Sequence, residues 1–321
     1  MGVIDGCVWS EGSMDSQVLE WLLEGDPAIR WQVERDLLDL PVAQWGATRG
    51  TLGQTGWAHR LLSEQDPDGT WASGLYQPKW TSTNYTLLLL RRMGLDPADD
   101  RAREGCLRLV NGATWIPGGL TYWPSHGYAE RCVNAMVLSV CAYFDVRDAR
   151  VDTLAEALFA GRLDDGAWNC RDHQGATHSS FHTTISVLEA LDVWRGSRGS
   201  SDADEAVATG IEFLLQHEMF RSHRDGTIIN PEWMKAHFPP RWHYDVLRGV
   251  DFLATTGSEP DDRAHDAIRL IESRQRADER WPKGSQYTGE VFFVLEPGRV
   301  AGRWNTLRAL RVLRWWSQRS Q

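Results

Sequence analysis

The chain has 321 residues, 42% hydrophobic and 24% charged, an ordinary soluble composition that allows one large domain or two smaller ones and holds no apolar run long enough to cross a bilayer. Its formal net charge of −10 argues against general nucleic-acid binding, which needs a basic footprint. The five cysteines (Cys7, Cys106, Cys132, Cys141, Cys170) are odd in number and scattered, and the N-terminus has neither a basic nor an apolar signal region, so reduced thiols and a cytoplasmic location are expected.

No stretch alternates convincingly as a strand, whereas helical periodicity recurs in pairs. In chain order the pairs are expected at about 14–24 with 27–39, 54–64 with 82–93, and 98–112 with 129–145, after a flexible lead over 1–12. They continue at about 149–160 with 178–193, 202–218 with 243–256, and 260–275 with 303–317. First members are amphipathic and start acidic ("DPADDRAREGCLRLV", "SDADEAVATGIEFLLQ", "EPDDRAHDAIRLIES"), which suits the helix dipole, with Pro97 and Pro260 suited to first turns. Second members are apolar around most of their circumference ("TNYTLLLLRRMG", "CVNAMVLSVCAYF", "TTISVLEALDVW"), and such a helix is buried on most sides. The expected fold is therefore all-α, a single-domain (α/α)6 toroid of six helical hairpins over 1–321, with an open solenoid of helix pairs as the alternative. In a closed ring, Glu34 and Asp36 of the first inner helix would face Arg308, Arg311 and Arg314 of the last; solvated surface charge is the other reading.

Long loops rich in Gly, Trp and Pro lead into the second members, as in "EQDPDGTWASGLYQPKWTS", "NGATWIPGGLTYWPSHGY" and "RLDDGAWNCRDHQGATHSS". The return connections "GLDP" and "TTGSEP" are short, so the long loops and the inner-helix N-termini should share one mouth. "QDPDGTW" (Gln65 to Trp71) fits Q-x3-G-x-W and resembles the QW repeat of squalene and oxidosqualene cyclases. "LDDGAWNCR" (Leu163 to Arg171) resembles a degenerate second copy, and also the D-G-G-F-x-G-R loop of protein prenyltransferase β subunits; "RQRADERW" is similar to a third, poorer copy. Over most of its length the chain thus resembles the terpenoid cyclase and protein prenyltransferase superfamily, which implies that superfamily's α/α toroid. The physical content of the repeat stands alone: Gly permits a tight turn, Asp caps it, and Trp71 and Trp168 plug the gap between layers.

The superfamily's chemistry does not carry over with the fold. There is no D-x-D-D; "DPADD" and "DADE" open outer helices, and "DDRAHD" at Asp261 misses D-D-x-x-D by one place. "THSSFHTT" stands where prenyltransferases carry an Asp-x-Cys pair for zinc. The resemblance then implies a cyclase, isomerase or lyase type of enzyme lacking those motifs.

Polar and aromatic residues expected around the mouth supply the site candidates. His178, His182, His243, Tyr244, Asp245 and Glu296 are read as catalytic, and Trp80, Asn84, Tyr85, Tyr128, Glu130, Trp242, Arg303 and Trp304 as substrate-binding. His178 and His182, spaced i, i+4, would share a helix face as a metal pair, as an acid and its partner, or as a structural N-cap region. With Cys170 and His173 they make an alternative zinc set; otherwise no cofactor is expected. Asp245 reads either as an acid or base beside His243 and Tyr244 or as a dipole partner, and Glu296 with Arg303 as a salt bridge or an anion site.

The leading functional reading is a small-molecule enzyme performing acid–base cyclisation or isomerisation of a largely apolar, isoprenoid- or polyketide-like substrate in a central aromatic cavity. Three alternatives stand beside it. One is a metal-dependent enzyme using Cys170, His173, His178 and His182. Another is a carbohydrate-active toroid using two of Asp245, Glu130, Glu290 and Glu296. The last is a non-catalytic binding protein whose lumen is filled.

Overall fold

Side-chain caps set where several helices begin. The computed structural model describes residues 16–298 and 301–318, so the expected flexible lead over 1–12 lies outside the described residues. Asp26 accepts the Ala28 N–H, Asp99 those of Arg101 and Ala102, Asp148 that of Arg150, and Ser200 that of Ala203. Each satisfies orphan donors at a helix start. The helices so begun are α2 (Pro27–Asp36), α6 (Asp100–Asn111), α8 (Ala149–Ala160) and α10 (Ser201–Gln216). Pro97 and Pro260 stand just ahead of their helices rather than inside the first turn, because Asp99 and Asp261 take the capping position.

The described residues form thirteen α-helices and one short hairpin. Besides those named they are α1 (Ser16–Leu23), α3 (Val42–Gly50), α4 (Gly56–Ser63), α5 (Thr83–Met93) and α7 (Arg131–Tyr143). The rest are α9 (Phe181–Arg198), α11 (Val246–Thr255), α12 (His265–Ser273) and α13 (Arg303–Ser317). All six expected pairs are present, with α2, α5, α7, α9, α11 and α13 as the inner members. Inner α5 and α7 are buried along nearly their whole length, as their all-round apolar sequences require. Two elements were not expected. Helix α3 buries none of its residues fully and rests on α2, Trp45 lying 6.0 Å from Trp31. The strands β1 (Thr114–Ile116) and β2 (Gly119–Thr121) pair antiparallel in the loop before α7, where Asn134 bonds both the N–H and the carbonyl of Leu120.

Three hairpins share one staple. Trp71, Trp168 and Trp281 are almost wholly buried, and each indole N–H donates at 2.7 Å to the carbonyl ten residues earlier, on Leu61, Leu158 and Ile271. Each of these tryptophans also donates its backbone N–H to a threonine of the following inner helix: Thr83 at 3.0 Å, Thr184 at 3.3 Å and Thr306 at 3.0 Å. Trp71 and Trp168 are structural, as expected, and the poorest sequence copy, ending at Trp281, has the same bonds as the other two. Gly105 and Gly210 make room for the rings: a Cβ there would stand 2.6 Å from Trp71 and 2.9 Å from Trp168.

Neighbouring inner helices touch in chain order. Trp31 and Gln32 of α2 bond the carbonyls of Met93 and Arg92 on α5; α5 packs on α7, α7 on α9, and α11 on α13. Glu189 of α9 pairs with Arg248 of α11 at 2.8 Å. Helix α13 packs back on α2, where Arg311 pairs with Asp36 at 3.1 Å and Arg314 donates to the Asp36 carbonyl at 2.5 Å. Of the charges expected to meet there, Arg308 instead faces Asp251 at 3.2 Å, and Glu34 has a buried oxygen without a hydrogen-bond partner.

Replacing Trp71, Trp168 or Trp281 with Phe removes one buried hydrogen bond and part of the ring packing and should cost about 1 kcal/mol or more in urea-induced unfolding. A negligible loss in Trp281→Phe beside a full loss in the other two would contradict the equivalence of the third staple.

Candidate functional site

The loops ahead of the inner helices converge on a cage of stacked rings. Trp242 lies on His243 at 3.7 Å, His243 on Tyr287 at 3.6 Å, and Tyr287 on His237 at 4.7 Å. Trp80 meets His243 edge-on at 6.1 Å and Tyr85 at 4.8 Å. His182, in the first turn of α9, stands 5.2 Å from Trp242, 5.7 Å from Trp233 and 5.9 Å from His243. Thus the structure does gather His182, His243, Trp80 and Trp242 from three different hairpins, with Trp233 and Tyr287 as walls that the sequence did not disclose.

Both imidazoles are held neutral. His182 Nδ1 accepts the Tyr244 backbone N–H at 2.7 Å, which places its own proton on Nε2. Burial pushes its pKa down to about 4, and the Arg248 cation adds to the shift. Burial likewise takes His243 to about 3, with His182 and Arg248 contributing. His243 Nδ1 is buried and has no hydrogen-bond partner in the protein. The broad faces of Trp80 and Trp242 already carry cations: Arg241 lies 5.2 Å from the Trp80 ring and Lys79 5.7 Å from that of Trp242.

Several other candidates turn out to be anchors and caps. Tyr244 is buried and donates its hydroxyl to the Met219 carbonyl at 2.6 Å. Asp245 is fully buried as the cap of α11, accepting from the N–H groups of Arg248 at 2.7 Å and His237 at 3.3 Å. Glu296 accepts the Arg303 backbone N–H at 2.5 Å at the start of α13, so its expected side-chain pair with Arg303 does not form. Arg303 instead donates to the Trp21 carbonyl and covers the Trp21 ring. The polar atoms of Tyr244, Asp245 and Glu296 are thus engaged with backbone groups.

The remaining substrate-binding candidates are dispersed. Asn84 is buried with its amide nitrogen 3.8 Å from the Met136 sulfur and its oxygen unpartnered. Tyr85 bonds the Tyr76 hydroxyl at 2.8 Å. Trp304 stacks on Phe238 at 4.0 Å, and Glu130 is the cap residue of α7, its carbonyl bonded to Asn134. Glu290 is tied to Lys79 and Trp80 by paired backbone bonds. Of the four carboxylates offered for a carbohydrate-active site, Asp245 and Glu296 accept backbone N–H groups at helix starts.

The stretch Asn169–Thr184 does not assemble its four proposed metal ligands, and among the described residues no three His, Cys, Asp or Glu side chains stand together as a metal set. His178 is exposed and precedes α9, which starts at Phe181, so the i, i+4 face it would share with His182 does not exist. His173 stacks on Tyr128 at 3.6 Å. Cys170 Sγ accepts the Cys132 backbone N–H at 3.1 Å and the Thr183 hydroxyl at 3.3 Å. The Cys132 thiol bonds it as well and, with Thr183, draws the Cys170 pKa below the usual thiol value despite burial, while that of Cys132 rises.

Two spaces stand where one central aromatic cavity was expected. An apolar recess of about 180 Å³ lies between α11, α12 and their loops, with Trp233 as its wall toward His182 and Trp281 opposite. The cavity among the inner helices, about 170 Å³, is ionic. There Glu189 is shared by Arg92 at 2.6 Å, Arg248 at 2.8 Å and Arg91 at 3.4 Å. Burial would raise the Glu189 pKa, yet these guanidiniums overcome it and hold the carboxyl far below its ordinary range. Sequence reading passed over this cluster, although charges inside "LLLLRRMG" and "VLEALDVW", helices otherwise apolar all round, were its signal.

No family model matches the sequence, and no curated protein matches it. Similar solved structures include two of low sequence identity. A protein from Actinoplanes aligns over 91% of this chain and 90% of its own at 18% identity, with a TM-score of 0.47. The type II terpene cyclase MstE from Scytonema aligns over 90% of this chain and 87% of its own at 15% identity, with a TM-score of 0.46.

Two expectations follow from the geometry. In NMR titration the ring protons of His182 and His243 should hold their neutral-form shifts from pH 8 to 5 and move only near pH 4 and 3 respectively. Because both folded pKa values are depressed, the corresponding stability is present above pH about 6.5 and is lost as pH falls toward those values. A midpoint near 6.5 for either ring would refute the caged state. Separately, iodoacetamide at neutral pH should label Cys170 ahead of buried Cys106 and Cys141, and Thr183→Val should slow that labelling.

Proposed function

We propose that the chain closes as a single-domain (α/α)6 toroid and works as a small-molecule enzyme that moves a proton on an organic substrate by means of His182 and His243. The ring order of inner-helix contacts, with α13 returning to α2 through Arg311 and Asp36, supports closure. The observation that carries the chemistry is the pair of neutral imidazoles 5.9 Å apart inside an aromatic cage, one with an unpartnered ring nitrogen. A buried neutral imidazole of such low basicity accepts a proton from a strongly acidic species such as a cationic intermediate, and its conjugate acid readily returns the proton elsewhere.

Of the reaction types implied by the resemblance, isomerisation fits better than acid-initiated cyclisation. Initiation needs a strong acid in the cage, and Asp245, the carboxyl next to Tyr244, caps α11 instead. The resident cations on Trp80 and Trp242 also oppose a role for those faces in holding a carbocation. The apolar recess behind Trp233 accommodates a largely apolar substrate body.

The test is to incubate the protein with a small-molecule extract in D2O and follow it by mass spectrometry. A metabolite that converts and gains a carbon-bound deuterium with the wild type, but at least about 100-fold more slowly with His182→Gln or His243→Gln, is expected. Conversion unchanged in both variants, or no conversion by the folded wild type, would sink the reading.

A further inference from the structure

The charges in the inner-helix cavity do not balance where they are most crowded. Arg311 divides itself between Asp36 at 3.1 Å and Asp251 at 3.3 Å, and Arg308 between Asp251 at 3.2 Å and Asp245 at 4.0 Å. Asp192 is taken by Arg195 at 2.8 Å. Around Glu189 the arrangement differs: the guanidiniums of Arg91, Arg92 and Arg248 share that one carboxylate, a local surplus of two positive charges. Arg248 is 3% exposed, and the Nε of Arg91 is buried without a hydrogen-bond partner. Burial, together with Arg248 and Arg91, draws the Arg92 pKa down to about 10, the direction that crowded like charges dictate.

A network that served only to join helices would pair its charges, since a surplus of buried cations is costly. Here the surplus lines open space of about 170 Å³, far more than the roughly 10–15 Å³ that one water needs. That cavity shares Arg311 and Thr255 with a second polar recess of about 370 Å³ at the ends of α2, α11 and α13, which supplies a way in. Guanidinium forks match the oxygens of phosphate and carboxylate groups.

We infer that this cavity binds a small oxyanion, the phosphate or carboxylate group of a small molecule, on Arg91, Arg92 and Arg248. The site goes beyond the proton-transfer reading and does not depend on it, since binding can be read without activity.

Thermal unfolding and calorimetry with inorganic phosphate, diphosphate and succinate, against sodium chloride at matched ionic strength, test it. At least one oxyanion should raise the melting temperature saturably beyond chloride, and which of them binds tightest separates a phosphorylated ligand from a carboxylic one. Arg91→Gln should weaken binding at least tenfold, whereas Glu189→Gln, which enlarges the surplus, should tighten it. Arg92→Lys, which keeps the charge but loses the fork, should weaken binding less than Arg91→Gln and serves where Arg91→Gln does not fold. Shifts no larger than those of chloride, or Arg91→Gln and Glu189→Gln moving affinity in the same direction, would overturn the assignment.

Discussion

The bond from a tryptophan indole to the carbonyl ten residues before it is what sets the relation between the two layers. Trp71, Trp168 and Trp281 each reach back to the end of an outer helix while the backbone N–H of the same residue is held by a threonine on the inner helix. Outer helix, loop and inner helix thereby become one buried unit. An indole is large enough to fill the gap between layers, and its single donor finds its partner there, so packing and polar satisfaction are met by one side chain. With the loop's base fixed in this way, its remaining length is free to project beyond the helix ends. Trp80 and Tyr287 reach the cage from such projections, His182 stands in the first turn of the inner helix after the Trp168 staple, and Trp233, His237, Trp242 and His243 come from the loop before α11, whose hairpin has no staple of this kind.

Among the inner helices a second constraint operates. Six helices that are apolar on most sides bury their outer and lateral faces against neighbours, and the narrow space among them is too polar to be simple core. Glu189, Asp251 and Asp36 face five arginines there, and the network joins five of the inner helices, α2, α5, α9, α11 and α13. Such pairs gain little net stability after desolvation, but removing one partner is severe, so they hold the inner helices to particular neighbours. Arg311 between Asp36 and Asp251 is the clearest case: it links α13 to helices on both of its sides.

Much of this was legible in the sequence because it rests on periodicity. The twelve paired helices follow from spacing of apolar residues, the staples of Trp71 and Trp168 from Gly two places before Trp, and the Arg311–Asp36 contact from opposite charges on the first and last inner helices. What sequence did not reveal depends on direction. His178 and His182 are four apart, yet α9 begins at Phe181, so the spacing never becomes a face. Asp245, Tyr244 and Glu296 are residue types suited to chemistry, but their backbone partners, Arg248, Met219 and Arg303, become visible only in three dimensions. Cys132 as the partner of Cys170 joins positions 38 apart in the chain, with no local pattern to announce it. Helix α3 escaped because its surface position imposes no strong apolar stripe.

Arg248 connects the two regions that carry the functional argument. Its guanidinium bonds Glu189 in the ionic cavity and also donates to the His243 carbonyl at 2.6 Å, at the base of the aromatic cage. Its charge is among the causes that keep His182 and His243 neutral. An anion seated on Arg91, Arg92 and Arg248 would offset part of that charge, and both imidazoles would then bind a proton more readily. By linkage the converse holds: a proton on either imidazole would favour the anion by the same free energy. The cavity and the cage need no conformational change to influence one another, because the coupling is electrostatic and runs through one buried side chain that belongs to both.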